Sequence, residues 1–524
     1  MITSMNTLPR NIYRAGDVRE LDRTVIENLG IAGIVLMERA GSAAFSLIRR
    51  RWPQLDRLIL LCGPGNNGGD GFVIARLAHT AGIDTCVYQL VAADRLQGDA
   101  ANAYSSMCSA GVIPETLDTA ALLSLLATTE NQTAAGRSVI VDALFGIGLI
   151  RDIEPQLAEL FGRLNSLSVP LLAVDIPSGL HADSGRVLGA ALRATTTISF
   201  IGLKTGLMTG LGPEYCGDVY FDDLGVPPAT YDIVQAVAER IDYASLPATA
   251  GALLRKRSPC AHKGDFGHVL VVGGGPGMSG AVRMAAEAAA RVGAGLVSVG
   301  THPGHAVHIS QACPVIMAND IATADQLLPL VHRASVVVIG PGLGQQAWGR
   351  ACLQVLLDHC IESAKPLIID ADGLNELAED PCHYDRWILT PHPGEAARLL
   401  GASTAEIQAD RLVAAAAIQR QFGGICVLKG AGTLIQSATR TYLCSVANPA
   451  MASGGMGDVL SGVIAGLAAQ GGALEAAACL GVCVHAQAAE IASADGQRGL
   501  LATDLLPRLR HLVNPGDQQV NTAG

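Results

Sequence analysis

One unit recurs along this chain and limits what it can become: a short apolar run, a glycine-rich turn, then residues at helical spacing. LILLC (58–62) runs into GPGNNGGDG and a helix expected from about Phe72. SVIVDALFG (138–146), PLLAVDIPSG (170–179) and TTTISF (195–200) repeat the apolar part. Continuous apolar runs bounded by turn residues are strands buried on both faces. Parallel strands of that kind need a helix in each crossover, so the pattern predicts doubly wound α/β architecture. Composition agrees, with 49% hydrophobic residues, only 4% aromatic ones, and 60 glycines for the turns.

At 524 residues the chain exceeds one ordinary core, and two domains of roughly 200–300 residues are expected. The first series stops near Leu224, where GVPPATYD carries two prolines, and the weakly periodic stretch after it ends in RKRSP. A second series opens at HVLVVGGGPG (268–277) and continues through SVVVIGPGLG (335–344), PLIIDADGLN (366–375), WILTPHPGE (387–395) and GICVLKGAGTLI (424–435). Domains are expected over 1–228 and 236–515. No internal repeat links them, so they read as separate folds with separate sites.

The net charge of −11 argues against a nucleic-acid partner, which needs clustered Lys and Arg. The first twenty residues hold no apolar leader core. The most apolar stretch, Gly462 to Ala492, is broken by Gln470, Glu475 and His485 and reads as a buried helix pair rather than a membrane span. Thirteen cysteines without a CxxC pair read as small buried hydrophobes in a reducing compartment. The expectation is a cytoplasmic protein with no membrane partner.

Two groups of motifs carry chemistry. In the second half, GGMGD (454–458) puts glycines ahead of a helix, where backbone N–H groups and the helix dipole favour an anion. Asp458 opposes a phosphate there, so it reads either as a proton acceptor beside a transferring phosphoryl group or as a helix cap. KGAGT (429–433) offers a lysine, a tight turn and a hydroxyl at a strand end, and TPHPGE (390–395) presents His392 and Glu395 at another. In the first half, GPGNNGGDG can cradle a pyrophosphate, with Asn66, Asn67 and Asp70 as side-chain ligands. Asp142 and Ser178, at the ends of separate strands, can join Asn67 around a cation, although Asp142 and Asp175 also suit helix caps.

In the order HKGDFGHVLVVGG, GPGLG, DADGLN, TPHPGE, KGAGT and ASGGMGDVLSG, residues 240–515 resemble the ADP- or ATP-dependent NAD(P)H-hydrate dehydratase family, which is ribokinase-like. The resemblance implies an αβα domain in which Lys429, Gly430, Ala431, Gly432, Thr433 and Gly457 hold the adenine nucleotide, ADP by preference. Ala281, Gly342, Gly344, His392 and Asp458 would face the hydrated nicotinamide, and Glu395 would support magnesium. LMERAG (36–41), GPGNNGGDG, VDALFGIGL and VDIPSG likewise resemble the NAD(P)H-hydrate epimerase domain, over residues 10–225, a Rossmann-like three-layer αβα sandwich. That resemblance implies substrate contacts from Asn66, Asn67, Gly68, Gly69 and Asp70, and from Gly146, Ile147, Gly148, Leu149, Ile150, Arg151 and Asp152. Asp175 would be the acid/base at the carbinol carbon, and Asn67, Asp142 and Ser178 would hold potassium. The implied substrates are NADHX and NADPHX, the R and S hydrates, with the epimerase feeding a dehydratase specific for S. A homo-oligomer is expected. The rival reading is a small-molecule kinase, since the glycine turn and Asp458 suit any hydroxyl nucleophile.

Overall fold

The computed structural model describes residues 8–119, 122 and 137–515, so the first seven residues of the stretch read for a leader lie outside the described residues. The chain divides into two compact units, 1–239 and 240–524. The first unit thus runs past 228, where the prolines of GVPPATYD place its end. Proline breaks helical period without ending a packed unit: Tyr231 Oη donates to Ile201 O at 2.9 Å, and Ala238 and Glu239 pair with Ile12 and Asn11.

In the first unit, seven strands form one parallel sheet: β1 (Arg57–Cys62), β2 (Asp84–Gln89), β3 (Glu115–Thr116), β4 (Ser138–Ala143), β5 (Leu171–Val174), β6 (Thr196–Phe200) and β7 (Asp218–Asp222). Their order is β3-β2-β1-β4-β5-β6-β7. Alternate residues feed two cores. Leu58 and Leu60 pack on one face with Val139 and Val141, while Ile59 and Leu61 pack on the other with Ile140. Helices α1 (Ala15–Glu27), α2 (Gly33–Arg51) and α3 (Asn66–Thr80) contribute to the first core, and Leu160 and Phe161 to the second, which makes three layers. The strand order reverses between β1 and β4, and a crevice opens beyond the carboxyl ends at such a switch point.

The second unit repeats this logic. Strands β8 (His268–Gly273), β9 (Leu296–Thr301), β10 (Met317–Asp320), β11 (Val336–Ile339), β12 (Leu367–Ile369), β13 (Trp387–Leu389) and β14 (Ile425–Leu428) are parallel, in the order β10-β9-β8-β11-β12-β13-β14. The antiparallel strands β15 (Thr433–Gln436) and β16 (Thr441–Cys444) follow β14. Helices α4 (Ser279–Arg291), α6 (Met456–Ala468) and α7 (Leu474–Ala492) supply much of one core, while α5 (Pro393–Leu400) follows the TPHPGE turn. Among the described residues, α7 alone is long and apolar enough to cross a membrane by length and composition. It is 72% buried inside the unit, as expected of a core helix.

Candidate functional site

The first unit's cleft lies at its switch point and encloses about 670 Å³. The loops after β1 and β4 form two of its walls. The helix after β1 starts at Asn66, not near Phe72. Helix propensity misjudges this start because the glycines of NNGGDG are selected by packing rather than by turning. A Cβ on Gly68 would sit 1.9 Å from Gly63 O, and one on Gly69 2.5 Å from Met37 Cε. Gly68 and Gly69 therefore bring the helix close to its neighbours, while Asn66, Asn67 and Asp70 line the cleft. Gly146 to Arg151 line it too, and Asp152 stands exposed beyond the lining.

Beneath this rim, Asp142 is fully buried. It accepts from Ser178 N at 2.7 Å, Ser178 Oγ at 2.6 Å and Leu144 N at 3.2 Å, and so ties the loop after β4 to the loop after β5. It caps no helix. Burial pushes its carboxyl up to about 6 against these hydrogen bonds. Asn67 is 8% exposed, and neither its Oδ1 nor its Nδ2 has a hydrogen-bond partner. A buried amide left so costs roughly 1–3 kcal/mol, which a ligand at the same place would recover. Its Oδ1 lies 3.5 Å from the position of a Cβ on Gly146.

Asp175 follows β5 with φ of 67°, a left-handed conformation costly for a residue with a Cβ. Its carboxylate is paired with the ammonium of Lys204, which is 1% exposed and also donates to Phe200 O at 2.9 Å and Ser199 Oγ at 3.2 Å. Asp22, Asp70 and Asp99 line the same cleft. Burial, with help from Asp175, raises Asp22 to about 6, and burial, Asp175 and Asp22 push Asp70 far above the usual carboxylate range; Lys204 opposes both shifts. Sequence reasoning missed Asp22 and Lys204. Each is an ordinary charge on a regular element until the fold brings it to Asp175.

In the second unit the residues gather beyond the ends of β12, β13 and β14. Lys429 Nζ donates to Asp370 Oδ1 at 2.8 Å and lies 3.7 Å from Glu395 Oε2. Burial alone would lower this ammonium, but Asp370, Glu395 and Asp458 hold it above its usual range. A Cβ on Gly457 would sit 3.2 Å from Lys429 Nζ and 3.5 Å from Asp370 Oδ2, so the GGMGD helix start abuts the KGAGT turn. Asp458 is the third residue of α6, whose cap is Gly455 with no side-chain cap bond. The helix-cap reading of Asp458 does not hold. Burial and the charges of Asp370 and Asp372 push Asp458 up to about 7, against Lys429.

His392 is exposed and caps α5, accepting from Gly394 N at 2.9 Å and Glu395 N at 3.3 Å, while Glu395 Oε2 accepts from His392 N at 2.7 Å. Partial desolvation of the ring lowers the His392 imidazole, which favours the neutral form that can accept. The GPGLG turn is held by Gly344 N donating to Asp372 Oδ2 at 2.9 Å. A Cβ on Gly342 would meet Ala281 Cβ at 3.0 Å, so these two expected contacts are neighbours. Within KGAGT, Thr433 Oγ1 donates to Gly430 O at 2.9 Å, and the buried Arg411 reaches the carbonyls of Leu428, Lys429 and Gly432 at 3.2–3.4 Å. Asp370 and Arg411 are further residues that sequence reasoning did not single out.

Two family models match the chain. One is described as NAD(P)H-hydrate dehydratase and covers residues 269–510; the other is described as YjeF-related protein N-terminus and covers 33–206. A Coxiella burnetii protein named bifunctional NAD(P)H-hydrate repair enzyme is 46% identical over 96% of this chain and 99% of its own length. An Escherichia coli protein of the same name is 40% identical over 97% of this chain and 95% of its own. Among solved structures, an ADP/ATP-dependent NAD(P)H-hydrate dehydratase from Bacillus subtilis, crystallised with ATP and magnesium, is 29% identical over 50% of this chain and 94% of its own, with a TM-score of 0.44.

Proposed function

The chain belongs to the family of bifunctional NAD(P)H-hydrate repair enzymes, and from that membership we propose how its two units divide the work. The first unit interconverts the R and S hydrates in its 670 Å³ cleft. The second dehydrates the S hydrate, consuming ADP and releasing AMP and phosphate. The observation that carries this reading is the Asp458–Lys429–Asp370 cluster at the mouth of a glycine-led helix: a proton acceptor beside a cation, where a phosphoryl group would lie.

The hydrate's hydroxyl is a poor leaving group, and the second unit's residues address that. Asp458 takes the hydroxyl proton as the nucleotide's terminal phosphoryl is transferred to that oxygen. Phosphate then departs with the C–O bonding pair, and loss of the neighbouring ring proton restores the double bond. Lys429 and the N–H groups of the α6 start balance charge on the phosphates. Glu395, a buried carboxylate beside Lys429, would be the residue to hold magnesium, which would offset charge on the phosphates. In the first unit the unpartnered Asn67 amide, Asp142 and Ser178 fit potassium, an ion that would offset charge near a substrate pyrophosphate.

The test is to incubate the protein with mixed hydrates, ADP and magnesium and to follow reduced-nicotinamide absorbance. Complete recovery at one rate is expected. A fast partial recovery with a slow remainder defeats the epimerase assignment, and a stable phosphorylated product would instead identify a kinase. Lys429→Ala is expected to weaken nucleotide binding about 10- to 100-fold, the equivalent of one charge-assisted hydrogen bond, with hydrate affinity much less affected. Titration calorimetry with each ligand checks it, and equal weakening of both removes Lys429 from the nucleotide site.

A further inference from the structure

Four carboxyl groups line the first unit's cleft together with the cations Arg19, Arg151 and Lys204; among them Asp22 on α1, Asp70 on α3, Asp175 after β5 and Lys204 after β6 each come from a different element. Asp175 is committed to Lys204, whereas Asp22 lies on α1 beside Arg19, whose Nη2 donates to Ile147 O at 3.0 Å and so draws that helix against the loop after β4. Inverting a ring carbon that bears a hydroxyl and a nitrogen needs a proton given on one side and a proton taken on the other. We propose that Asp22 is the proton donor to the departing hydroxyl, and that Asp175, held by Lys204, accepts the proton of the water that re-adds. The proposal rests on the epimerase reading of this cleft and supplies its mechanism.

The step balances. The Asp22 proton goes to the hydroxyl oxygen, the C–O bond breaks with its pair on the departing water, and the ring nitrogen's lone pair closes a C=N bond. Solvent water then attacks the opposite face, its proton passes to Asp175, and the C=N pair returns to nitrogen. The two carboxyl groups end with exchanged protonation, set for the reverse inversion or reset by solvent. The intermediate is a cation, and Asp22, ionised once its proton is given, lines the same cleft as its counter-charge. Burial supports the division of roles. Asp22, raised to about 6, can give and regain a proton near neutral pH, and burial with Asp175 and Asp22 holds the Asp70 carboxyl well above the usual range. The unpartnered amide of Asn67, lining the same cleft, independently marks it as a place where a polar ligand is missing.

The test uses the full chain and a single hydrate epimer in ¹⁸O-water. Wild type is expected to place one ¹⁸O on the ring hydroxyl per inversion. Asp22→Asn is expected to slow inversion about 10²–10⁴-fold with KM changed only a few-fold and dehydration intact, and Asp22→Glu to recover at least part of the loss. Inversion without label overturns the proposal, as does an Asn variant near wild-type rate or a Glu variant as inactive as Asn. No inversion by wild type overturns the epimerase reading itself, and the proposal falls with it.

Discussion

Asp458→Asn is expected to lower dehydration by about 10²–10⁴-fold, the range general-base loss produces, while nucleotide affinity changes little. The side chain makes no cap bond at the start of α6, so Asn inherits no structural duty it cannot perform. The two roles separate further through stability. Burial, Asp370 and Asp372 raise the folded-state carboxyl to about 7, above its ordinary value of 3.8. Between those values the folded chain binds more protons than the unfolded chain, so this group costs stability as pH rises through the window. Asn removes that cost. Above pH 7 the variant should melt at the same temperature as wild type or higher, although it is inactive. The wild-type rate should climb with pH through about 7, where Asp458 loses its proton, and the variant's residual rate should lack that limb. A variant that loses activity and stability together points to structural damage instead.

Much of this arrangement was legible in the sequence for a simple reason. In parallel α/β sheets the strands are uninterrupted apolar runs, and the ligand-facing loops follow their carboxyl ends, so each apolar run with its turn announces both a strand and a candidate site. GPGNNGGDG, GPGLG, TPHPGE and KGAGT lie at such ends, while GGMGD opens α6. What stayed hidden depends on tertiary partners. Lys204 and Asp175 are 29 residues apart, and Asp22 lies farther still from both. No local spacing links them. Asp370 and Asp372 both stand in DADGLN, but the left-handed turn at Ala371 (φ 47°) sends the first to Lys429 and the second to Gly344 N. Arg411 opens an alanine-rich helix with no clear apolar face to mark it, yet it is buried because it reaches the carbonyls of KGAGT. The helix start at Asn66 was misplaced for the same reason, since contacts with Gly63 and Met37 override glycine's poor helix propensity.

Asp142→Ala is expected to reduce epimerisation about 10- to 100-fold, the range seen when a metal-site group is lost, and to remove the potassium response expected of wild type, leaving dehydration intact. Removing this side chain unties three hydrogen bonds between the loops after β4 and β5, so some loss of stability is expected on any reading. A mere capping role would cost about 0.5–2 kcal/mol and would be indifferent to the cation. The cation gives the discriminating sign. Without one, burial raises the Asp142 carboxyl to about 6, so the group costs stability as pH rises from the ordinary carboxylate range through that value. A potassium ion held by Asp142, Asn67 and Ser178 favours the ionised form and removes the cost, and it adds about 2.7 kcal/mol when present at a hundred times its dissociation constant. Potassium should therefore raise the melting temperature of the first unit at pH 8 relative to tetramethylammonium at equal ionic strength. The difference should begin to shrink near pH 6 and fall to about half by pH 5, as protonation of Asp142 competes with the ion. In Asp142→Ala the two salts should give the same melting temperature at every pH. Wild type that melts alike in both salts at pH 8 leaves Asn67, Asp142 and Ser178 as a purely structural junction, and the unpartnered Asn67 amide must then face the substrate.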